Sequence, residues 1–200
     1  MEKGPACALS PEGKGIGHGP YDEGKLIAMD RPKLTLDTNL IQEHLRRQQK
    51  AHIVEELVAL ARTGKVDLAV TRHLYDDIQP GPKNLNLDGL PELAIDEVGG
   101  VFRSDISVTD GPDMTGFDEF NNYYPIARNL AIERVGQRRA PDHRDWLHLH
   151  AHLLNQRDAF ITWDRGILCL APELRAVFGI IVMQPEEYLL DEQSRISSDD

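Results

Sequence analysis

Four carboxylates lie near predicted strand ends or helix starts. Asp37 and Asp164 follow predicted strands, Asp77 lies one helical turn past another, and Asp145 lies in the first turn of a helix that precedes a strand. Carboxylates that lie close together repel one another and titrate as a coupled set, and a cation that neutralises them stabilises the cluster. Mg²⁺ and Mn²⁺ prefer such oxygen ligands and complete their coordination with water. A metal ion held in this way activates water and stabilises negative charge on a phosphate. The pattern therefore indicates a metal site that acts on phosphate esters.

Each acid also has a purely structural explanation. Asp37 begins an Asp-Thr-Asn sequence, which is typical of a turn or a helix cap. Asp142 and Asp145 have the spacing of a capping pair in a first helical turn, and Asp164 is placed to cap a helix that starts at residue 165. The functional interpretation therefore depends on the four acids together, in this order along the chain.

The elements that must position these acids alternate between strands and helices. Apolar alternation and short apolar runs predict strands at 33–37, 66–70, 159–162 and 179–183. Apolar spacings of three and four predict helices at 40–62, 73–78, 117–135, 141–155, 165–170 and 185–190, with Thr71 as a cap of the second and Pro125 as an interruption of the third. This alternation predicts an α/β fold, a three-layer α/β/α sandwich with a mainly parallel central sheet. Sites in such sheets lie beyond the carboxyl ends of the strands.

The chain has 200 residues, which is long enough to bury a core without disulfides. Its composition divides it into a Gly- and Pro-rich N-terminal extension at 1–33, one domain at 34–190 and an acidic C-terminal tail at 191–200. Proline and glycine recur over about 79–118, which predicts a long insertion in the domain with one weak strand at 101–108.

The composition excludes several classes of protein. No apolar run approaches the roughly 20 residues that span a bilayer, and the N-terminus lacks a hydrophobic signal region, so we expect neither membrane insertion nor secretion. The two cysteines, Cys7 and Cys169, have no metal-ligand spacing, which fits a reduced, cytoplasmic protein. The chain has no phosphate-binding glycine loop, dinucleotide fingerprint or serine-hydrolase elbow. Asn39 stands where a phosphatase of the haloacid dehalogenase type has its second Asp.

The charge of the chain is unevenly distributed. Lys and Arg number 22 against 33 Asp and Glu, so the net charge is −11, which argues against nucleic-acid binding through the overall field. The segment 128–144 is nevertheless locally basic, and its candidates for phosphate contacts are Arg138, Arg139 and Arg144. A second candidate set, on the first predicted helix, is Arg46, Arg47 and Lys50. The alternative interpretation of both sets is a solvated surface.

Four stretches resemble, in order, the motifs of the PIN-domain family of metal-dependent ribonucleases, which includes the VapC-type toxins. They are 34–41 (LTLDTNLI), 70–78 (VTRHLYDDI), 145–153 (DWLHLHAHL) and 160–167 (FITWDRGI). The resemblance covers about residues 34–190 and implies a PIN-like version of the α/β/α fold. Each motif is short, and their combination with the order of the elements carries the specificity.

This resemblance implies hydrolysis of phosphodiester bonds in RNA, with single strands as the expected substrate. The implied catalytic residues, which are also the implied ligands of one or two Mg²⁺ or Mn²⁺ ions, are Asp37, Asp145, Asp164 and, directly or through water, Asp77. The implied supports of these carboxylates are Thr38, Asn39 and Thr162. A metal-bound water would attack in line and leave 5′-phosphate and 3′-hydroxyl ends. The implied partners are RNA, an antitoxin or other protein, and a second copy of the chain in a homodimer.

Three features depart from the family pattern. The second acid of the family is usually Glu, six residues after the Thr or Ser that ends the second strand, and counting from Thr71 gives Asp77. Asp is one methylene shorter than Glu, and Asp76 is the neighbour that could take its place. The insertion at about 79–118 is longer than in compact members, and Trp163 replaces a residue that is commonly small or polar.

Two sets of alternatives stay open. Asp145, His148 and His152 have the spacing of one helical face, which suits either a zinc site or hydrogen-bonded histidines packed near the acidic pocket, with His143 and His150 exposed. The alternatives to an active nuclease are a catalytically weak or inactive PIN-like binding or scaffold module, and a toxin held inhibited by an antitoxin. Such an antitoxin would place a basic side chain into the acidic pocket.

Overall fold

The structure is a computed structural model, and it describes residues 31–78, 90, 93–99 and 117–196, without the side chains of Asp76, residues 117–119 and Ile196. The strands are β1 (Lys33–Leu36), β2 (Asp67–Thr71), β3 (Ile95–Val98), β4 (Ala159–Ile161) and β5 (Val182–Met183). The helices are α1 (Thr38–Leu45), α2 (Ala51–Arg62), α3 (Leu74–Asp77), α4 (Phe117–Val135), α5 (His143–Leu154), α6 (Arg165–Leu168), α7 (Ala171–Phe178) and α8 (Pro185–Ile196).

The strands form one sheet in the order β3-β2-β1-β4-β5, and each neighbouring pair is parallel. β1 is the central strand, and its Leu34 is paired with Leu68 of β2 and with Ala159 of β4. Parallel strands need crossover connections, which helices provide here. The sheet confirms the predicted α/β class, and it brings the carboxyl ends of β1, β2 and β4 to one edge.

Helices cover both faces of this sheet. On one face, Leu34 and Leu36 belong to a buried apolar cluster with residues of α1, α2 and α8. On the other face, Phe160 belongs to a second cluster with residues of α4, α5, α6 and α7. Successive strand residues point to opposite faces, so Thr35, between the two leucines, faces the second layer of helices. The predicted three-layer α/β/α arrangement is therefore confirmed.

The single helix predicted at 40–62 is wrong, because the structure has α1 and α2 with a turn at 46–50 between them. Arg47 has a φ of 51°, in the left-handed region that is common just after a helix end. The Glu43 carboxylate accepts the Lys50 backbone N–H at 2.7 Å across the turn. The sequence at 46–49 is Arg-Arg-Gln-Gln, which offers no apolar side chain to the core. The apolar spacing that predicted one helix continues on both sides of this break.

The predicted insertion at about 79–118 contributes a strand to the sheet. β3 pairs in parallel with β2 and forms one edge of the sheet. Its sequence, Ile-Asp-Glu-Val, does not show a strand pattern, because Asp96 and Glu97 are exposed while Ile95 is buried. The strand predicted at 101–108 lies outside the described residues.

Four smaller differences concern the helices. Thr71 does not cap α3, because it is the last residue of β2 and the cap position is occupied by His73. α4 continues through Pro125 without interruption. No helix is predicted where α7 lies, although proline in its first turn is a helix-start signal. α8 extends to Ile196, so the first part of the predicted tail at 191–200 is helical.

The pH dependence of stability should report on His152, a buried residue of α5. Its Nδ1 lies 2.9 Å from the Thr35 hydroxyl, and burial, with the charge of Arg157, lowers the pKa of His152 from 6.5 to about 4. A histidine of this kind stabilises the fold fully above its unfolded pKa, and the stabilisation is lost as the pH falls from 6.5 to about 4. We expect this loss to be about 3 kcal/mol in the wild type and to be absent in His152→Gln.

Urea unfolding at a series of pH values between 7 and 4 measures this effect as the difference between wild type and His152→Gln. The matched control is His52→Gln, because His52 is exposed on α2. A difference between wild type and His152→Gln that stays constant across this range would contradict the prediction.

Candidate functional site: an acidic cluster at the strand ends

Asp37 directly follows the central strand and caps α1. Its Oδ1 accepts the Thr38 backbone N–H at 2.7 Å, and its Oδ2 accepts the Asn39 amide at 2.7 Å and the Thr162 hydroxyl at 2.5 Å. Only 7% of the residue is exposed. Burial raises the pKa of Asp37, and the charge of Asp164 adds to this rise, whereas the hydrogen bonds oppose it.

The Thr162 hydroxyl links Asp37 to Asp164. Besides donating to Asp37, it accepts the Asp164 backbone N–H at 2.8 Å and the Asn39 amide at 3.1 Å. Asp164 caps α6, with its Oδ1 accepting the Ile167 N–H at 3.0 Å, and its side chain is exposed. The structure thus brings the first and fourth predicted acids together around three polar residues that the sequence predicts as supports.

Asp145 lies in the first turn of α5 and forms a capping box with Asp142. Its Oδ2 accepts the Asp142 backbone N–H at 2.8 Å, while its own N–H donates to Asp142 Oδ1 at 3.2 Å. Burial raises the pKa of Asp145 to about 7, and the charges of Asp142, Asp37 and Asp164 add to the rise. The capping explanation is therefore correct for Asp145. The same carboxylate is also repelled by the charges of the predicted acids Asp37 and Asp164.

Asp77, the last residue of α3, is held by other protein groups. Its Oδ2 accepts the Thr38 hydroxyl at 2.9 Å and lies 2.9 Å from His148 Nε2, while Arg144 Nη1 is 3.8 Å from Oδ1. Burial alone would raise the pKa of Asp77, but the bond and charge of His148, with the Thr38 bond and Arg144, lower it overall. Its neighbour Asp76 has no described side chain, so its predicted role as a substitute stays a prediction.

The described side chains do not form a closed metal site. No three His, Cys, Asp or Glu side chains among them converge closely enough to hold a metal ion. The chemistry of the donors nevertheless suits Mg²⁺ or Mn²⁺, because Asp37, Asp145 and Asp164 are all carboxylates, and the charge of Asp164 adds to the rise in the pKa of the other two. The three would have to move closer together to share one ion.

The zinc alternative does not agree with the contacts of the histidines. His148 contacts Thr71 and Asp77, and His152 contacts Thr35, so both rings are engaged between α5 and the strands. This arrangement is the alternative interpretation, hydrogen-bonded histidines packed near the acidic pocket. The expectation that His150 is exposed is wrong, because it is buried against the rings of Phe120 and Tyr123.

The predicted phosphate contacts lie in two places, at the start of α5 and in the turn after α4. Arg144 is exposed at the start of α5, one residue before Asp145. Arg138 and Arg139 are exposed in the turn after α4, and the Arg139 carbonyl is 2.9 Å from where a Cβ would lie on Gly166. Because Gly166 is in the first turn of α6, this turn contacts the helix that Asp164 caps.

In the second candidate set of cations, Lys50 already has partners within the protein. Lys50 Nζ forms an ion pair with Glu186 at 3.0 Å and lies 4.6 Å above the ring of Trp163, whose Nε1 donates to Glu186 at 2.8 Å. Arg46 and Arg47 are exposed in the turn after α1. The sequence gives no signal for this Lys50–Trp163–Glu186 contact, since the residues come from three distant segments.

Replacing Thr162 should destabilise the domain, because its buried hydroxyl bonds three polar groups of the site. Thr162→Val leaves the Asp37 carboxylate and the Asp164 N–H without that partner, and an unsatisfied buried group costs about 1–3 kcal/mol. We expect a loss of this size in urea unfolding. Thr63→Val, at the exposed end of α2, is the control and should lose no more than about 0.5 kcal/mol. Equal losses in both variants would contradict the prediction.

Comparisons with known proteins show similarity to a solved structure. No protein-family model and no curated protein matches the chain. A crystal structure of VapBC2 from Rickettsia felis bound to a DNA fragment from their promoter matches with a TM-score of 0.44 and 14% identity, over 76% of this chain and 98% of that chain. None of the described helices is long and apolar enough to cross a membrane. A similarity of this size does not identify a family, so the function has to follow from the residues of the site.

Proposed function

We propose that this protein is a metal-dependent endoribonuclease that hydrolyses phosphodiester bonds in single-stranded RNA. The observation that carries the proposal is the position of Asp37, Asp145 and Asp164 at the carboxyl edge of the sheet, where burial, with repulsion from the other carboxylates, raises the pKa of Asp145 to about 7. A protein gains nothing for stability from such repulsion, whereas a bound divalent cation would relieve it.

Asp37, Asp145 and Asp164 are the residues that would hold Mg²⁺ or Mn²⁺. When bound, the metal would supply the positive charge that activates water and stabilises the phosphate in the transition state. The neighbouring residues prepare this set, since Thr162 and Asn39 fix the orientation of the Asp37 carboxylate through hydrogen bonds to its Oδ2. Fixed ligands reduce the reorganisation that metal binding requires.

The charge distribution limits how an RNA substrate could be held. The net charge of −11 repels a polyanion, so an RNA strand has to be held by local cations. Arg138, Arg139 and Arg144 are exposed close to the acidic cluster and are the proposed contacts for the phosphates that flank the cut. Guanidinium groups form charge-assisted bonds with phosphate oxygens.

A binding function without catalysis is the second candidate. The observation in its favour is that no three potential ligands converge among the described side chains. In that case the exposed acids would bind basic side chains of a protein partner, such as an antitoxin or a second copy of this chain. An inhibited toxin combines both candidates, because its partner would occupy the same carboxylates as the metal.

RNA cleavage by the purified protein tests the first proposal. We expect cleavage of labelled single-stranded RNA with Mn²⁺ or Mg²⁺ and none with EDTA. Asp37→Asn should lower the rate by about 100-fold or more, because a lost metal ligand removes several kcal/mol of transition-state stabilisation.

The control for this assay is Asp96→Asn, an exposed residue of the edge strand β3 that should cleave like the wild type. Cleavage that persists in EDTA or in Asp37→Asn would overturn the proposal. Absence of both cleavage and Mn²⁺ binding in the wild type would favour the binding module.

A charge substitution tests the proposed phosphate contacts. Arg139→Gln should raise the KM for RNA about threefold to tenfold and leave kcat nearly unchanged, because a phosphate contact contributes mainly to binding. Its rate should also depend less steeply on salt concentration. Lys65→Gln is the control, since Lys65 is exposed near the amino end of β2, at the opposite edge of the sheet. An unchanged KM in Arg139→Gln would remove this residue from the binding path.

A further inference from the structure

His148 joins three elements that meet beside the acidic cluster. It lies one turn after Asp145 on α5, and only 2% of the residue is exposed. Its Nδ1 lies 2.5 Å from the Thr71 hydroxyl at the end of β2, and its Nε2 lies 2.9 Å from Asp77 Oδ2 at the end of α3. A threonine hydroxyl both donates and accepts, so the ring can bond both partners in either protonation state.

Asp77 differs from the other acids because a His or Arg side chain lies against each of its oxygens, whereas only neutral groups hydrogen-bond Asp37. Thr38 and His148 bond Oδ2, and the guanidinium of Arg144 lies near Oδ1. A carboxylate with two donors and a nearby cation has its negative charge largely offset. A divalent ion at Oδ1 of Asp77 would lie beside the Arg144 guanidinium, whose positive charge would oppose it.

Asp145 and Asp164 have no such compensation. Each uses one oxygen to accept a backbone N–H at a helix start. Within the described parts of the chain, no Lys, Arg or His forms an ion pair with either carboxylate. The negative charge available to a metal is therefore concentrated on Asp37, Asp145 and Asp164.

Thr38 connects the compensated acid to the central one. Its hydroxyl donates to Asp77 Oδ2 at 2.9 Å, while its backbone N–H donates to Asp37 Oδ1 at 2.7 Å. A shift of Asp77 would therefore move the first turn of α1, and with it a hydrogen bond that orients the Asp37 carboxylate.

We propose that His148 is a positioning residue that pairs with Asp77, keeps this acid outside the ligand set of the metal, and through Thr38 fixes the turn that presents Asp37. The statement about the metal rests on the proposed function, whereas the His148–Asp77 pair does not. The proposal replaces the role that the sequence predicts for Asp77 as a ligand with a role in orienting the ligands.

Mn²⁺ titration calorimetry on the full chain separates the two roles of the acids. Asp145→Asn should weaken Mn²⁺ binding at least tenfold. Asp77→Asn should keep the stoichiometry and change the Kd less than threefold, because the amide oxygen still accepts from His148 and Thr38. Asp96→Asn is the control. A loss in Asp77→Asn as large as in Asp145→Asn overturns the statement that Asp77 lies outside the ligand set.

Thermal unfolding of the metal-free chain tests the pair itself. The Tm losses of His148→Gln and Asp77→Ala, a change that removes the contact, should be clearly non-additive in the double variant, as expected for residues in direct contact. His52→Gln combined with Asp77→Ala should be additive. Additive losses in the first pair overturn the inference. If the wild type binds no Mn²⁺, the proposed function fails and this cycle alone decides for or against the pair.

The kinetics of His148→Gln distinguish positioning from a merely structural role. At a temperature where the variant is fully folded, kcat should fall about tenfold or more while the KM for RNA stays within twofold, because the exposed arginines are unaffected. A lower Tm with an unchanged kcat per folded molecule overturns the positioning role.

Discussion

The burial of the Asp37 carboxylate at the end of the central strand is the constraint on which the rest of the site depends. A buried carboxylate is tolerated only when donors or a cation offset its lost hydration. Here the donors come from the first turn of α1 and from Thr162 at the end of β4. The pairing of Leu36 with Ile161 places Thr162 beside Asp37, and the Asp37 N–H continues the ladder to the Ile161 carbonyl at 3.0 Å. A slip of β4 by one residue would therefore leave the carboxylate without its shortest hydrogen bond.

The acids of the site divide into two electrostatic groups with opposite consequences. Burial and repulsion raise the pKa of Asp37 and Asp145, so their ionised forms are costly in the chain by itself. His148, Thr38 and Arg144 lower the pKa of Asp77, so its ionised form is stabilised by the protein. This division means that a cation entering the cluster gains most from the first group. The pairing of Asp77 also lowers the total negative charge that the edge of the sheet would otherwise carry.

Sequence reasoning predicts the layers and the helix caps at Asp37, Asp142 and Asp164 because both depend on local patterns. The alternating apolar residues of β1 and the capping signals around Asp142 and Asp164 are visible without any tertiary contact, and the structure has these elements.

The features that the sequence does not predict depend on tertiary contacts. β3 is a strand because β2 offers it a partner, although its own residues are half polar. The helix predicted at 40–62 is broken by a turn, across which the Glu43 carboxylate accepts the Lys50 N–H. The sequence does not reveal this break because the spacing of the apolar residues continues on both sides of the turn. His148 meets Asp77 across 71 residues, a distance at which spacing carries no information.

The polar face of α5 explains why Asp145 stays close to Asp37. Helices usually pack on a sheet through apolar side chains, and such contacts allow small sliding motions because they are not directional. α5 instead directs His148 and His152 at the threonines of two neighbouring strands, Thr71 of β2 and Thr35 of β1. Thr35 is in register with Ala69 of β2, so Thr71 lies two residues, or about 7 Å, further along the strands. Four residues of helix span about 6 Å, so the two pairs fit only one axial position of the helix. Sliding by one residue would break both hydrogen bonds in a buried interface. The position of the Asp145 carboxylate relative to the strand ends is therefore set by these two histidine–threonine pairs, more than by the apolar packing around them.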